Sequence, residues 1–129
     1  MTSDKPIVRL HYLCKAMITG SYYTDNIKEG AKACRHKDII VFKREPFNEH
    51  DRMAVAVYNQ KGIKLGYISR NESAAVANVM DSGFAEECFG EITYINKKRE
   101  SVGLLADCFF RCEDRYIERL KRLIEESKR

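Results

Sequence analysis

The residues best suited to chemistry lie in one short polar segment between two apolar ones, REPFNEHDRMAVAV at positions 44–57. Asn48, His50 and Asp51 follow Pro46 closely, and the alternating apolar residues after them are typical of a strand. Short polar side chains of this kind close turns by hydrogen bonding to nearby backbone N–H groups. A carboxylate fixed in this way can still accept a hydrogen bond from a ligand hydroxyl, so we predict a turn that also binds.

Catalysis is not indicated by these residues. Acid–base chemistry at His50 and Asp51 would need a nearby nucleophile, and the sequence suggests none. Cys34 and His36 could be a nucleophile and its base, but alternate residues of a strand share a face for trivial reasons. GxSxG, HExxH, P-loop and Gly-rich dinucleotide motifs are missing. We therefore predict no catalytic residues, no cofactor and no enzymatic activity.

The five cysteines are scattered and odd in number. Cys108 and Cys112 are spaced CxxxC, whereas zinc sites usually show paired close ligands. We expect reduced thiols, no metal site and a cytoplasmic location. No run of eighteen apolar residues occurs, and the N-terminal MTSDKPIVRL lacks the apolar core of a signal peptide, so we expect no membrane association.

Length and charge leave room for a polyanionic partner without requiring one. The chain has 129 residues, enough for one modest core, and a net charge of +4 with a pI near 8.8. A basic set in the first third is the most suggestive part of that charge: Lys28, Lys32, Arg35, Lys37, Lys43 and Arg44.

The periodicity predicts a mostly β chain with some helix. Strands are expected at 7–20, 38–45, 53–59, 63–69, 89–96 and 101–110, with 21–37 as a connection containing a helical turn. A helix capped by Asn71 should run towards Gly83, and an amphipathic helix should end the chain. This pattern favours a small antiparallel β-barrel or half-barrel with one inserted helix, spanning residues 1–110, followed by the C-terminal helix at 111–129.

The terminal helix carries an apolar stripe of five residues: Tyr116, Ile117, Leu120, Leu123 and Ile124. We expect this stripe to pack against the sheet of the same chain. The alternative is a homodimer in which Ile117, Leu120 and Ile124 meet a second copy.

Two stretches resemble a known family. They are ITGSYYTD at 18–25 and IIVFKREPFNEHDRMAVAVYNQKGIKLGYISRNESAAVANVMDSG at 39–83. Both are similar to the HIRAN domain, whose pattern is xxGxxYY, LxREPxNxxDxxAVxV, a hairpin, GYIPR and an alanine-rich helix. The resemblance covers roughly residues 15–100, and it is specific because several spaced motifs agree in order.

The resemblance implies a modified OB-like barrel that binds rather than catalyses. HIRAN domains are best known at the front of a chromatin-remodelling helicase that acts on replication forks, where the domain captures the 3′ end of single-stranded DNA with the terminal hydroxyl in a pocket. This chain contains no helicase motor and resembles the stand-alone bacterial members. The implied function is recognition of single-stranded DNA 3′ ends, as an accessory to DNA repair or replication, with a helicase or nuclease as partner protein.

The family's pocket residues can be carried over position by position. Tyr22 and Tyr23 match the tyrosine pair and would stack on the terminal base. Asn48 and Asp51 match the polar pair of the loop, and Asp51 would accept a hydrogen bond from the 3′ hydroxyl, whereas a 3′ phosphate would bring charge against charge. His50 stands where the family often has tyrosine and would donate or stack beside that hydroxyl.

Basic residues complete the implied site. Tyr67 and Arg70, in GYISR, stand where the family contacts the phosphates of the end nucleotides, and the guanidinium of Arg70 offers a forked donor. DNA-binding members place a basic residue immediately before the tyrosine pair, where this chain has Ser21. That departure removes one charge-assisted hydrogen bond, so a lower affinity or a different ligand is expected. Lys43 and Arg44 are the candidates to compensate for it.

Two other functions compete with DNA-end recognition. One is a protein-interaction or oligomerisation module that uses the same barrel without binding nucleic acid. The other is a nuclease-associated accessory domain that reaches DNA only through a partner. The choice between DNA and RNA stays open, because nothing in the sequence reads a 2′ hydroxyl.

Overall fold

The computed structural model describes residues 6–20, 25–97 and 102–128. Its elements, in chain order, are β1 (Val8–Thr19), α1 (Asp25–Lys32), β2 (Ile39–Arg44), β3 (Val55–Tyr58), β4 (Lys64–Ile68), α2 (Arg70–Val79), β5 (Cys88–Lys97), β6 (Val102–Glu113) and α3 (Asp114–Ser127). Within these ranges, no helix has the length and apolar character needed to cross a bilayer.

The six strands close into an antiparallel barrel in the order β1-β4-β3-β2-β5-β6. The predicted class, mostly β with some helix in a small antiparallel barrel, is therefore confirmed. Alternation sets the inner wall, as in β2, where Ile40 and Phe42 are buried and Val41 and Lys43 are exposed. The inward residues of all six strands form one continuous apolar core.

The prediction of a single inserted helix was incomplete, because α1 is a helix of eight residues rather than one turn in a connection. Gly30 lowers the helix propensity of this segment, which hid the helix from local reasoning. Packing explains the glycine. A Cβ at position 30 would lie 2.8 Å from Cγ2 of Ile63 and 3.3 Å from Cδ2 of Leu65, so the helix lies close against β4.

The second helix begins earlier than predicted. Its N-cap is Ser69 rather than Asn71, and the Ser69 hydroxyl donates to the Glu72 carboxylate in the first turn. Ser69 stands where the family pattern has proline, and its backbone N–H also donates to the Met17 carbonyl oxygen at 2.9 Å. The start of α2 is thereby tied to β1. Gly83 takes a positive φ of 103° in the wide turn that follows the helix.

The apolar stripe of α3 packs within the chain. Leu120 and Ile124 are buried in the barrel's core cluster, and Tyr116, Ile117 and Leu123 pack against that cluster. The last strand, β6, continues to Glu113, three residues past the boundary expected at 110, and α3 follows without a linker.

The closure of the barrel depends on a close approach between β1 and β4. These strands share two registered pairs, Ile18 with Ile68 and Thr19 with Tyr67. Gly66 has a φ of 141°, and a Cβ there would lie 2.2 Å from the Thr19 carbonyl oxygen. Only glycine permits this approach, which places Thr19 beside Tyr67.

Gly66→Ala should destabilise the chain by about 3 kcal/mol or more, because it combines backbone strain with a collision against main-chain atoms. Gly62→Ala is the matched control. Gly62 also has a positive φ, of 83°, but no atom lies within 4 Å of its would-be Cβ, so only the conformational cost of about 1–2 kcal/mol applies. Urea unfolding of both variants measures the difference, and equal losses of stability would contradict the close approach.

Candidate functional site

A cavity of about 550 Å³ lies beside the β1–β4 seam. Eight residues line it: Thr19, Asn48, His50, Asp51, Ala54, Tyr67, Ile68 and Arg70. Five of these are residues that the resemblance assigned to DNA binding, although they come from a loop, a strand and the start of a helix. A volume of this size is typical of a small-ligand site.

The loop between β2 and β3 is held by side chains of its own. Asn48 Oδ1 accepts hydrogen bonds from the backbone N–H of His50 at 2.9 Å and of Asp51 at 3.1 Å. Asp51 Oδ1 accepts one from the backbone N–H of Met53 at 2.8 Å. The turn predicted from these residue types is therefore present. It fixes the direction of the Asp51 carboxylate.

Glu45 is the centre of the hydrogen-bond network beneath this loop. Its Oε1 accepts hydrogen bonds from Asn48 Nδ2 at 3.1 Å and Tyr67 Oη at 3.0 Å, and its Oε2 accepts one from Lys64 Nζ at 3.1 Å. Lys64 Nζ also donates to Tyr67 Oη at 2.5 Å. The loop and β4 are thus joined through one carboxylate.

Opposing effects act on the charges of this network. Burial raises the pKa of Glu45, but the hydrogen bonds from Asn48, Lys64 and Tyr67 outweigh burial and hold the pKa below its ordinary value. Burial likewise lowers the pKa of Lys64, and its bonds to Tyr67 and Glu45 reverse the effect, so the net pKa is raised. Both groups are therefore charged at neutral pH.

Arg70 connects the other end of the loop to helix α2. It is the first residue of the helix, and its Nη2 donates to the His50 carbonyl oxygen at 2.7 Å. Asp51 and Arg70 thus line one cavity, a carboxylate and a guanidinium held by separate elements. The cavity can accept a hydrogen bond from a hydroxyl and donate to an anionic oxygen on a neighbouring group.

Arg44 and Lys43, which were also predicted to bind DNA, do not line the cavity. Arg44 is largely occupied, since its Nε and Nη2 donate to the Asp81 carboxylate at 2.9 and 3.1 Å and its Nη1 donates to the Ala54 carbonyl oxygen at 2.7 Å. We therefore leave Arg44 out of the proposed interface. Lys43 lies exposed on the outer face of β2, away from the cavity lining. Tyr22 and Tyr23 lie outside the described residues.

Sequence reasoning missed three groups that shape the cavity. Glu45 and Lys64 hold the loop, and Thr19 lines the cavity and donates from Oγ1 to the Tyr67 carbonyl oxygen at 3.4 Å. The sequence could have indicated Glu45, because this residue belongs to the REP segment of the family pattern. Phe47, in the same loop, leaves 95% of its surface exposed.

The thiols take no part in this site. All five cysteines are free. Burial, with a smaller contribution from Asp38, raises the pKa of the Cys34 thiol to about 11, and burial raises the pKa of Cys88 to about 12. Neither is an activated nucleophile at neutral pH. In the described part of the chain, no group of three or more His, Cys, Asp or Glu side chains is arranged to hold a metal ion.

Comparison with known proteins identifies the family. The HIRAN domain pattern matches residues 11–106, about three quarters of the chain. The chain belongs to the HIRAN domain family. Among curated relatives, it is 37% identical to the helicase-like transcription factor of Mus musculus and 33% identical to that of Oryctolagus cuniculus, each over 51 residues. That stretch is 40% of this chain and 5% of each relative, so the chain spans a small part of their length.

Solved structures show the same fold. The crystal structure of the HIRAN domain of human HLTF aligns with a TM-score of 0.73 at 15% identity, covering 92% of both chains. A Lactobacillus plantarum protein aligns with a TM-score of 0.72 at 24% identity, covering 81% of this chain and 97% of that one. The HLTF HIRAN domain in its DNA-bound conformation aligns with a TM-score of 0.64 at 16% identity, covering 93% and 91%. The predicted OB-like barrel of a HIRAN domain is confirmed.

Glu45→Gln should lower the free energy of unfolding at neutral pH by about 1–2 kcal/mol, because it removes the charged acceptor of three hydrogen bonds. The pKa of Glu45 is depressed in the folded chain. Its contribution is therefore present above the unfolded glutamate pKa of about 4.3 and is lost as pH falls through the folded value. Urea unfolding between neutral pH and the acid range should show a weaker pH dependence for Glu45→Gln than for the wild type.

Glu49→Gln, at an exposed position in the same loop, is the control for that measurement. It should keep the wild-type pH dependence. If Glu45→Gln does so too, the network does not stabilise the charged carboxylate.

Proposed function

We propose that this HIRAN domain is a single-stranded DNA-binding module that holds the 3′ end of the strand in the cavity beside the β1–β4 seam, as a non-catalytic accessory to DNA repair or replication. The observation that supports this most directly is the placement of Asp51 and Arg70 in one cavity. A 3′ terminal nucleotide carries a free hydroxyl and, one ribose away, a phosphate. A hydroxyl needs an acceptor and a phosphate needs a cationic donor, and this cavity supplies one of each.

Asp51 keeps acceptor capacity for the hydroxyl. A carboxylate has about four lone-pair sites on two oxygens, and the hydrogen bond from the Met53 backbone N–H uses one of them on Oδ1. The backbone bond fixes the carboxylate before the ligand arrives. A fixed acceptor loses little conformational entropy on binding, so more of the hydrogen-bond energy contributes to affinity.

Arg70 keeps donors for the phosphate in the same way. A guanidinium has five N–H donors, and one of them is used on the His50 carbonyl oxygen. That bond orients the planar group. Tyr67 lines the cavity with its hydroxyl directed to Glu45. The Lys64 ammonium lies over one face of its ring, 4.3 Å from the centroid, so the opposite face is the one we assign to a sugar or base. Stacking by Tyr22 and Tyr23 on the terminal base stays a prediction.

The relatives support the same class of ligand. The HLTF HIRAN domain, whose fold this chain shares, has a structure in a DNA-bound conformation. We also propose that the partner protein is a helicase or a nuclease. The competing oligomerisation module is not favoured, because the α3 stripe on which it relied packs in the chain's own core.

Oligonucleotides that end in a 3′ hydroxyl should bind at least tenfold more tightly than the same strands with a 3′ phosphate, because the phosphate places negative charge against Asp51. In Asp51→Asn the discrimination should largely disappear, and affinity for the hydroxyl end should fall by roughly tenfold or more, since hydrogen bonds to a charged group contribute about 1.5–3 kcal/mol. Fluorescence anisotropy measures both quantities.

Glu49→Gln removes a loop charge outside the cavity lining and is the control for Asp51→Asn. It should retain the preference for the hydroxyl end. Equal, salt-insensitive binding of both ends by the wild type, or no binding of either, would refute the proposal.

Arg70→Gln should reduce the salt dependence of binding. Each phosphate contact on a single strand contributes about −0.7 to the slope of log K against log salt, so the slope should become shallower by about 0.7. Arg70→Lys keeps the charge and should keep the slope, although it loses the forked geometry. Anisotropy titrations across a series of salt concentrations test this, and an unchanged slope in Arg70→Gln would place the phosphate elsewhere.

A further inference from the structure

A row of aromatic rings lies on the outer wall of the barrel, away from the cavity. Tyr12 pairs with Phe109, and Phe109 pairs with Phe89, across β1, β6 and β5. The ring centroids of Tyr12 and Phe109 are 5.8 Å apart, and those of Phe109 and Phe89 are 5.5 Å apart. We call these three residues the aromatic row. The same register continues onto β2 at Val41, which is also exposed.

The aromatic row faces outward, with Tyr12 exposed and Phe89 and Phe109 half-buried. Tyr12 exposes 56% of its surface, although a ring of this size is usually buried when it only serves packing. The guanidinium of Arg111 lies over the Phe89 ring, 4.3 Å from its centroid. Flat aromatic faces with an arginine among them are the groups on which unpaired bases stack without sequence preference.

Charged residues of both signs surround the aromatic row. On the side towards the cavity, Lys15, Asp107 and Glu91 stand in register on β1, β6 and β5. Lys15 Nζ lies 3.3 Å from Asp107 Oδ1, and Tyr12 Oη donates to the same oxygen at 3.3 Å. Asp107 is therefore partly neutralised, whereas Glu91 stays as an unfavourable charge. With Arg111 and the exposed Lys43 of β2, the wall carries three positive side chains against the two carboxylates of Asp107 and Glu91.

Strand β1 connects this wall to the cavity. Its outward residues, read from the cavity, are Thr19, Met17, Lys15 and Tyr12, with a bulge between Cys14 and Tyr12. Thr19 lines the cavity, and Met17 is 53% exposed. Seven residues of strand span about 23 Å, and a stacked strand advances about 3.4 Å per nucleotide. Roughly seven nucleotides would cover the distance, within the ~4–16 nucleotides that OB folds bind.

We propose that the aromatic row is a second contact surface for single-stranded DNA, which takes the bases several nucleotides upstream of an end held in the cavity after the strand has followed the outer face of β1. The inference rests on the proposed function of the cavity. It adds a binding surface outside that cavity and predicts a length dependence that end recognition alone does not give.

A flexible strand suits this surface better than a second copy of the chain. The row and its continuation at Val41 extend over four of the six strands of a closed barrel, so the outward side chains diverge around a convex wall. Two rigid convex walls touch over a small area, whereas a stable protein interface needs about 800 Å² on each partner. A single strand bends around the wall and stacks its bases one at a time.

The test compares two oligonucleotides with 3′ hydroxyl ends, a tetranucleotide that reaches only the cavity and a dodecanucleotide that also reaches the aromatic row. Fluorescence anisotropy with the full chain should show roughly tenfold tighter binding of the longer strand. Tyr12→Ser and Lys15→Glu should each remove most of this gain and leave binding of the tetranucleotide unchanged. Lys121→Glu is the matched control for Lys15→Glu at an exposed position away from the path, and it should change neither affinity.

The outcomes separate the two proposals. Equal affinity for the two lengths, or a length gain that Tyr12→Ser and Lys15→Glu leave intact in folded variants, overturns the aromatic row while the cavity stands. A length gain that depends on Tyr12, without any distinction between 3′ hydroxyl and 3′ phosphate ends, supports the row and overturns the cavity. If light scattering shows a dimer that Tyr12→Ser converts to a monomer without loss of DNA binding, the wall is a protein interface and the inference is wrong.

Discussion

The geometry of the cavity depends on keeping one carboxylate, that of Glu45, charged where it is partly removed from water. Burial alone would favour the neutral acid, and hydrogen bonds from Asn48, Tyr67 and Lys64 reverse that preference. Breaking any of them would leave a half-satisfied charge, which costs more than the bond itself contributes. The loop therefore cannot shift relative to β4 without a penalty. Asn48 links Glu45 to Asp51, because its side chain donates to the Glu45 carboxylate and accepts a hydrogen bond from the backbone N–H of Asp51. The carboxylate of Asp51, which lines the cavity, is therefore positioned through that of Glu45, which does not line it.

The position of the cavity follows from how the barrel closes. The β1–β4 seam consists of two registered pairs, far fewer than the β1–β6 ladder. Strand β1 ends at Thr19, and β4 ends at Ile68, just before α2, so the seam opens into a gap that no strand of the described residues fills. Gly66 brings the two backbones together just before that point. The gap is then bordered by the β2–β3 loop and the first residue of α2. A longer seam would fill this space with paired backbone.

The features that could be predicted from the sequence are those that depend on residues close together along the chain. Alternation gave the inner wall of β2, and short polar residues gave the turn at Asn48, because both depend on neighbours within a few positions. Helix α1 was missed because Gly30 is explained only by its contact with β4. Arg44 was proposed to compensate for Ser21 because the sequence does not show its carboxylate partner, Asp81, which lies 37 positions later. No spacing rule reports a pairing that depends on which elements meet in the fold. The family resemblance predicted the cavity residues because the family's motifs reflect which elements come together in the folded domain.

An acidic residue in a site for a polyanion lowers affinity for most of that polymer, and this explains how the cavity could be selective with so few charges. In the proposed site, every internal phosphate and every phosphorylated end would meet repulsion at Asp51, and only a terminus with a hydroxyl would turn the carboxylate into an attractive group. Specificity then comes from rejecting the common alternatives rather than from tight binding of the preferred one. Such a site gains little from strong positive charge, which would bind internal phosphates equally well. The modest net charge of +4 is consistent with that requirement. Additional affinity would then have to come from uncharged contacts. Base stacking on aromatic side chains outside the cavity would supply it without reducing the discrimination between strand ends that we propose for Asp51.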